Sequence, residues 1–350
     1  MRAAYAPYRL IFKAPAGTSR GVLRYKDTYF LKVWDESNPD VFGLGECALY
    51  KGLSREDTPQ YEDKLRELCF NICNDVATDL SDYSSLEFGF ETALYDFSNG
   101  GRRVIADTDF VKGKSTIPIN GLVWMGTFDE MSARIEDKLA AGFSTIKLKI
   151  GAIDFESELA LVKSLRARFS KESLTIRVDA NGGFSPDDAL DKLNRLSAYD
   201  IHSCEQPIKA NQWNEMREIC AKSPIPIALD EELIGVSDTL TMFSLLREIA
   251  PQYLIIKPSL MGGFDGAINW LKMAKLMNIG AWFTSALESN VGLNAIAQMV
   301  SRLNPLIPQG LGTGALFTNN IDSPLYQKND YLAYNPEGTW TLPEMQWVTV

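Results

Sequence analysis

From Ile117 onward the chain repeats one pattern for roughly two hundred residues: a short apolar run, a polar or ionisable residue as it ends, then an amphipathic helical stretch. The runs are IPINGLV, STIKLKI, LTIRVDA, IHSCEQP, IPIALDE, YLIIKPS, AWFTSA and LIPQGLG. Strands that are apolar on both faces must be covered on both faces, which repeated βα units achieve in a parallel sheet. Eight such units predict a closed α/β barrel over residues 116–320, with an open doubly wound sheet as the second architecture compatible with the pattern. The G-x-G-x-x-G fingerprint that usually opens the latter is missing after the first run, and Gly43-Leu44-Gly45 before Glu46 reads as a loop. Helix starts are well marked. Thr127 with Glu130 three residues later forms a capping box, and Ser185-Pro186 sets an N-cap before a proline at the first helical position. Leu159, Val162, Leu165 and Phe169 mark one helix face.

Residues 1–115 read differently. RLIFK, VLRYKDTYFLKVW and VFGLGECAL are rich in β-branched and aromatic residues and predict an antiparallel meander, followed by helices from Thr58 to about Val76 and from Leu86 to Asn99. This is an α+β unit. Residues 321–350, ending in TWTLPEMQWVTV, are too short to fold alone and are expected to return to it.

Composition removes several classes of function. With 35 Lys+Arg against 45 Asp+Glu, the net charge of −10 argues against a phosphate-backbone partner, and no run approaches the ~18 apolar residues of a membrane helix. Five cysteines without a C-x-x-C, and a start without an apolar leader segment, fit a reducing cytoplasm. Cys69 and Cys73, one helical turn apart, read as buried free thiols rather than a metal pair. The single histidine, His202, lies at the entering end of the fourth run and reads as structural. Histidine-rich zinc sites and Ser-His or Cys-His nucleophiles are therefore excluded, leaving lysines and carboxylates.

Those residues stand where a barrel presents its active face, at the C-terminal ends of the strands. Run two delivers Lys147 and Lys149, run three Asp179 and Asn181, run four Glu205, run five Asp230 with Glu231 and Glu232, run six Lys257, and run seven Ser285 with Glu288 just beyond. Lys147 and Lys149, two apart on a strand, share a face, and crowding two ammonium groups out of water lowers a lysine pKa towards that of a general base. Asp179, Glu205 and Asp230 on adjacent strands would repel one another unless a cation joined them. All-oxygen ligands with room for water favour Mg²⁺ over Zn²⁺. The plainer alternative is a set of salt bridges to Lys147, Lys149 and Lys257. Glu231 and Glu232 read as acids behind the site or in solvent, and Asn181 either orients a ligand or caps a turn before Gly182-Gly183.

TIKLKIG, RVDANGGF, CEQPI, IALDEEL and IIKPSLMGG resemble the strand-end motifs of the enolase superfamily, muconate-lactonizing-enzyme subgroup, in order and over essentially the whole chain. Segments TSRG (18–21), GLGECALYKGLS (43–54), TSALESNVGL (284–293) and QGLGTGALF (309–317) resemble the dehydratases of menaquinone biosynthesis within that subgroup. The resemblance implies a capping domain built from both chain ends on a (β/α)7β barrel, and Mg²⁺, or Mn²⁺, held by Asp179, Glu205 and Asp230. It implies Lys149 and Lys257 on opposite faces of the substrate, with Lys147 holding the site in register. The implied reaction is a carbon–oxygen lyase step, the syn dehydration of 2-succinyl-6-hydroxy-2,4-cyclohexadiene-1-carboxylate to 2-succinylbenzoate through an enediolate. Expected substrate contacts are Thr18, Ser19, Arg20, Asn181, Ser285, Glu288, Gly312 and Thr313. Arg20 is the candidate for the succinyl carboxylate, because a guanidinium matches a carboxylate with two parallel hydrogen bonds. The loop expected around Gly45 and Glu46 would share in selecting the substrate.

Relatives that use a His-Asp pair on strands six and seven are excluded by the position of His202. The acidic D-x-D of dipeptide epimerases at strand eight appears as Gly312-Thr313-Gly314. N-succinylamino acid racemization uses the same two lysines and stays open. A catalytically idle metal-binding scaffold is opposed by the presence of both. The partner expected is a small dicarboxylate, with no nucleic acid and no membrane; a homo-oligomer is compatible with the sequence.

Overall fold

The computed structural model describes residues 1–18, 21–151 and 153–350. Strands β1 (Arg2–Thr18), β2 (Gly21–Asp35) and β3 (Asn38–Cys47) pair as an antiparallel meander, and helices α1 (Tyr61–Asn74) and α2 (Ser84–Ser98) follow. Ala3, Tyr5, Leu31 and Val33 of the sheet pack against Leu65, Leu68, Cys69, Leu86 and Ala93 of the helices. The Gly43-Leu44-Gly45 segment, expected as a loop, lies inside β3. The glycines serve a close approach and not a turn: a Cβ on Gly43 would lie 1.9 Å from the Ala93 carbonyl oxygen, and one on Gly45 would lie 1.8 Å from that of Gly89. Helix α2 therefore rests directly on the strand backbone.

The second unit contains β4 (Ile117–Pro118), β5 (Gly121–Val123), α3 (Phe128–Ala140), β6 (Thr145–Lys149), α4 (Phe155–Arg168), β7 (Thr175–Asp179), α5 (Pro186–Ser197), β8 (Ile201–Glu205), α6 (Trp213–Lys222), β9 (Ile227–Leu229), α7 (Thr239–Ile249), β10 (Tyr253–Ile256), α8 (Gly263–Leu276), β11 (Gly280–Phe283) and α9 (Asn290–Ser301). Strands β5 to β11 pair in chain order as one parallel sheet. The eighth run closes the ring without forming a regular strand. Gln309 bridges Ile119 and Gly310 bridges Thr284, both in parallel sense, with Asn120 N donating to Gln309 O at 3.0 Å and Gly310 N to Phe283 O at 2.8 Å. The molecule is thus an α/β barrel carrying a separate antiparallel capping domain. Ile146, Leu148, Ile176, Val178, Leu254 and Ile256 join the helices in the main core, while Ala228, Ile255 and Trp282 form a separate cluster. Capping boxes start α3 at Thr127 and α5 at Ser185.

The tail divides between the two units. Strand β12 (Leu325–Lys328) pairs with β13 (Tyr331–Tyr334), which pairs with β4, and only the end, β14 (Val348–Thr349), pairs with β1. The free edge of β4 draws the first part away from the expected return to the N-terminal unit. Trp340, Leu342, Met345 and Trp347 pack around Phe30, Leu44, Val291 and Ile321.

Two carboxylates of the capping domain sit at the starts of barrel helices. Glu46 accepts from Ser289 N at 3.0 Å, Ser289 Oγ at 2.5 Å and Gly292 N at 3.1 Å, where α9 begins. Glu91 on α2 accepts from Phe264 N at 2.5 Å and Asp265 N at 3.4 Å, where α8 begins. The exposed N–H groups and the helix dipole favour an anion there. Burial nevertheless pushes the Glu91 carboxyl up to about 7. Among the described residues no helix is long and apolar enough to cross a membrane.

Candidate active site

Pleating puts alternate residues of each barrel strand inside the ring. Lys147 and Lys149 therefore project from β6, Asp179 from β7 and Glu205 from β8, with Asp230 and Lys257 immediately after β9 and β10. All six are buried. Lys147 Nζ donates to Asp179 Oδ2 at 3.1 Å and to both Glu205 oxygens at 3.0 Å. Lys149 Nζ donates to Asp179 Oδ2 at 2.5 Å and to Asn181 Oδ1 at 2.7 Å, and Lys257 Nζ donates to Asp230 Oδ2 at 2.5 Å. The arrangement is a salt-bridge network, with ammonium groups standing between the carboxylates. Among the described residues no three Cys, His, Asp or Glu side chains converge closely enough, as they stand, to hold a metal ion.

The charges are nonetheless those a cation would bind. Asp230 Oδ1 is buried without a hydrogen-bond partner among the described residues. Burial and then the neighbouring Asp179 charge, with Asp230 adding to them, hold the Glu205 carboxyl well above the usual range. An all-oxygen set with one orphaned oxygen fits a hard divalent ion that would take the place of the lysine ammonium groups among these carboxylates.

The lysines differ. Burial opposes the charge of Lys147, but Glu205 and Asp179 outweigh it and hold its pKa up. Lys257 is likewise held up, burial being outweighed by Asp230 and then Glu231. Lys149 goes the other way. Burial dominates, Asp179 opposes it, and the charges of Lys147 and Lys257 help to lower its pKa. Of these three, Lys149 alone is moved towards the range of a general base.

A cavity of about 50 Å³ is lined by Lys147, Lys149, Asn181, Lys257, Ser285, Gly312 and Thr313 among others. Asn181, at φ 44°, both turns the chain towards Gly182 and braces the site: its N–H donates to Asp179 Oδ1 at 3.0 Å and its amide to Glu231 Oε1 at 3.0 Å. Glu232 instead accepts from Asn211 N at 2.8 Å and ties down the segment after β8. Glu288 does not line the cavity; it lies fully buried behind Ser285. Glu46 is buried in β3 and serves α9, so no loop around Gly45 and Glu46 faces a ligand. Ser19 and Arg20 lie outside the described residues, and Thr18 ends β1 with its backbone opposite Gly21.

Some neighbours were not singled out from the sequence. Tyr50, Leu53 and Trp124 line the cavity. The first two fall in the GLGECALYKGLS segment, whose signal was there without a residue-level reading. Arg177, two before Asp179 and hence also inward, donates to Pro308 O at 2.8 Å and lies 4.1 Å over the Trp282 ring; burial lowers its pKa to about 10.

Comparison with known proteins gives the family and the fold. A family model described as "Enolase C-terminal domain-like" matches residues 130–332. The o-succinylbenzoate synthase of Desulfotalea psychrophila is 45% identical, the match covering 93% of this chain and 96% of that protein. The crystal structure of MenC from Desulfotalea psychrophila superimposes with a TM-score of 0.84 at 40% identity, covering 95% of this chain and 99% of that one. The dipeptide epimerase of Cytophaga hutchinsonii, solved with Mg and a dipeptide, shares the fold, with a TM-score of 0.82 at 20% identity over 99% of this chain and 98% of that one.

Proposed function

The chain belongs to the o-succinylbenzoate synthase family of the enolase superfamily, and from that membership and the lysine geometry we propose that it performs a Mg²⁺-dependent syn dehydration of 2-succinyl-6-hydroxy-2,4-cyclohexadiene-1-carboxylate to 2-succinylbenzoate, in menaquinone biosynthesis. It is an enzyme, a carbon–oxygen lyase of the hydro-lyase type acting on a small molecule. Enzymes of this family are metal-dependent. In this reading Asp179, Glu205 and Asp230 hold the ion. When bound, Mg²⁺ supplies positive charge to the substrate carboxylate as its neighbouring carbon loses a proton. A lysine base with Mg²⁺ is the established pattern of enolase-type sites and is carried over from them.

Lys149 removes the α-proton, and the C–H electron pair moves towards the carboxylate. The same side chain, now an ammonium, returns that proton to the departing hydroxyl as the C–O bond breaks, so water leaves from the face that lost the proton. Lys257, held in its charged form, stabilises the negative charge as it develops. Lys147, two residues before Lys149 on the same face of β6, keeps Lys149 in register. The observation that carries the reading is that Lys149 at the end of β6 and Lys257 just after β10 line one cavity, each on one of the three acids proposed to hold the ion. Five free cysteines support a reducing cytoplasm as its location. Purified protein given the cyclohexadiene substrate with Mg²⁺ should consume its absorbance and stop when chelator is added. Full activity in chelator would overturn the reading. Two lysines on one cavity also suit N-succinylamino acid racemization, one proton delivered to each face, and exchange of the α-proton of an N-succinylamino acid in deuterated water tests it.

A further inference from the structure

Away from the barrel mouth, a cavity of about 410 Å³ opens where the capping domain meets the barrel. Its apolar walls include Tyr95 of α2, Ile105 of the segment between α2 and β4, Phe264 and Ile268 of α8, Met299 of α9 and Leu303 just beyond it. Among the described residues it shares no lining side chain with the cavity that holds the lysines. Cavities of roughly 300–1,000 Å³ with apolar walls and a few polar groups are those that take small molecules.

The walls are set before a ligand arrives. Gln298 Oε1 accepts from Ile105 N at 2.7 Å and Ala106 N at 3.2 Å, and its amide donates to Arg103 O at 2.8 Å, so α9 pins the connecting segment. The Phe264 ring meets Phe88 and Tyr95 of α2 with centroids 5.4 and 5.9 Å apart. A preformed cavity spares its ligand the cost of ordering it. Tyr95 and Leu303 nevertheless stay 49% and 37% exposed. Large apolar side chains left open to water around a cavity gain from being covered.

Two charged residues complete the lining, and they differ in their surroundings. Asp265 stands at the start of α8 beside Glu87 and Glu91, so that end is acidic. Arg302 follows the last residue of α9, and among the described residues its guanidinium has no hydrogen-bond or ion-pair partner. An anion is repelled at the first place and drawn to the second, where five N–H donors await an acceptor. A molecule with one negative group and an apolar body matches this polarity. A dicarboxylate, which must set one of its charges among the walls or near Asp265, does not.

We propose that the cavity between α2, α8 and α9 is a second ligand site, taking an apolar monocarboxylate whose acid group pairs with Arg302 and whose body lies among Tyr95, Phe264, Ile268 and Met299. Such a ligand touches both units and binds the capping domain to the barrel. Isothermal titration of the Mg²⁺-loaded protein with 1-naphthoate, and with 1-naphthalenemethanol as its uncharged counterpart, tests the site. The expected result is one naphthoate per chain, with the alcohol weaker by on the order of tenfold or more. Arg302→Gln should lower the affinity for naphthoate to that for the alcohol. Ile268→Trp, which fills the cavity from a half-buried position, should abolish binding of both and the rise in thermal midpoint that naphthoate gives the wild type. Should Ile268→Trp fail to fold, Met299→Trp fills the same space from α9. A wild type that binds no naphthoate overturns the proposal, and so does binding that persists in the filled variant, which would place the naphthoate elsewhere. Equal affinity for acid and alcohol, or an unchanged affinity in Arg302→Gln, would leave Arg302 as a charge that complements the end of α9 and overturn the assignment of an acid.

Discussion

Replacing Lys147 by Met tests whether the three carboxylates are held apart by lysines only until a cation arrives. Lys147 is buried and makes three contacts of 3.0–3.1 Å with Asp179 and Glu205. Removing one partner of a buried ion pair costs about 3–5 kcal/mol, because the remaining charge is stranded. Glu205, already held above the usual carboxylate range by burial and Asp179, can shed its charge by taking a proton. The expected loss in chelator is therefore at the low end, about 3 kcal/mol. At about 2–4 °C per kcal/mol for chains of 150–250 residues, and somewhat less for a longer one, the thermal midpoint should fall by roughly 5–10 °C. A ligand that binds only the folded state adds about 2.7 kcal/mol at a hundredfold excess over its Kd. Carboxylates freed of Lys147 should bind Mg²⁺ more tightly than paired ones, so the variant gains more from the ion than the wild type does. Circular dichroism melts of both proteins, in chelator and in saturating Mg²⁺, measure this directly. The gap between them should narrow by at least about half when Mg²⁺ is present. A gap that stays the same, or widens, would mean that the acids Lys147 neutralises are not the ones the cation reaches.

Lys149→Arg keeps the charge but cannot deprotonate near neutral pH, so turnover should drop by about 10²–10⁴-fold while 2-succinylbenzoate still binds in a calorimeter; near-normal kcat would assign the proton to another group. Gly45→Ala places a methyl 1.8 Å from the Gly89 carbonyl oxygen, and the forced separation of α2 from β3 should cost about 1–3 kcal/mol or more in a urea melt. An unchanged midpoint there would deny the close approach. His202 has its pKa lowered from 6.5 to about 4 by burial and the Arg177 charge. Between those values the unfolded chain binds more protons, so stability is lost as pH falls from 6.5 to about 4. With a discount for its partial exposure, the loss is about 1–2 kcal/mol. His202→Gln should flatten that part of the pH profile, and parallel profiles for the two proteins would refute the assignment.

The barrel was legible because its signal is redundant: apolar runs, marked helix starts and an ionisable residue at each strand end all repeat with the βα unit. The six charged residues at the mouth were legible for the same reason. What escaped reading depends on a single contact between segments far apart in the chain. Gly43 and Gly45 carry no local sign of whether they bend the backbone or let Ala93 and Gly89 come close. Leu325 to Tyr334 read as tail because nothing in that stretch reveals that β4 has an open edge. Glu288 sits one turn from Ser285 in the sequence and looks equally available to a ligand, but the start of α9 folds it behind the wall. Ser19 and Arg20, expected to take part in substrate selection, lie outside the described residues.

Glu46 and Glu91 belong to one unit and complete helices of the other, which bears on how far such chains are modular. A hybrid that set a foreign capping domain on this barrel would have to bring an acid to both places, or leave the first N–H groups of α8 and α9 at the covered junction without an acceptor. The junction is thus inherited as a matched pair and resists shuffling. Exchange of short connecting segments, such as the one bearing Tyr50 and Leu53 beside the cavity, leaves those caps intact. Divergence in ligand preference has its easiest route there, through grafts smaller than a domain.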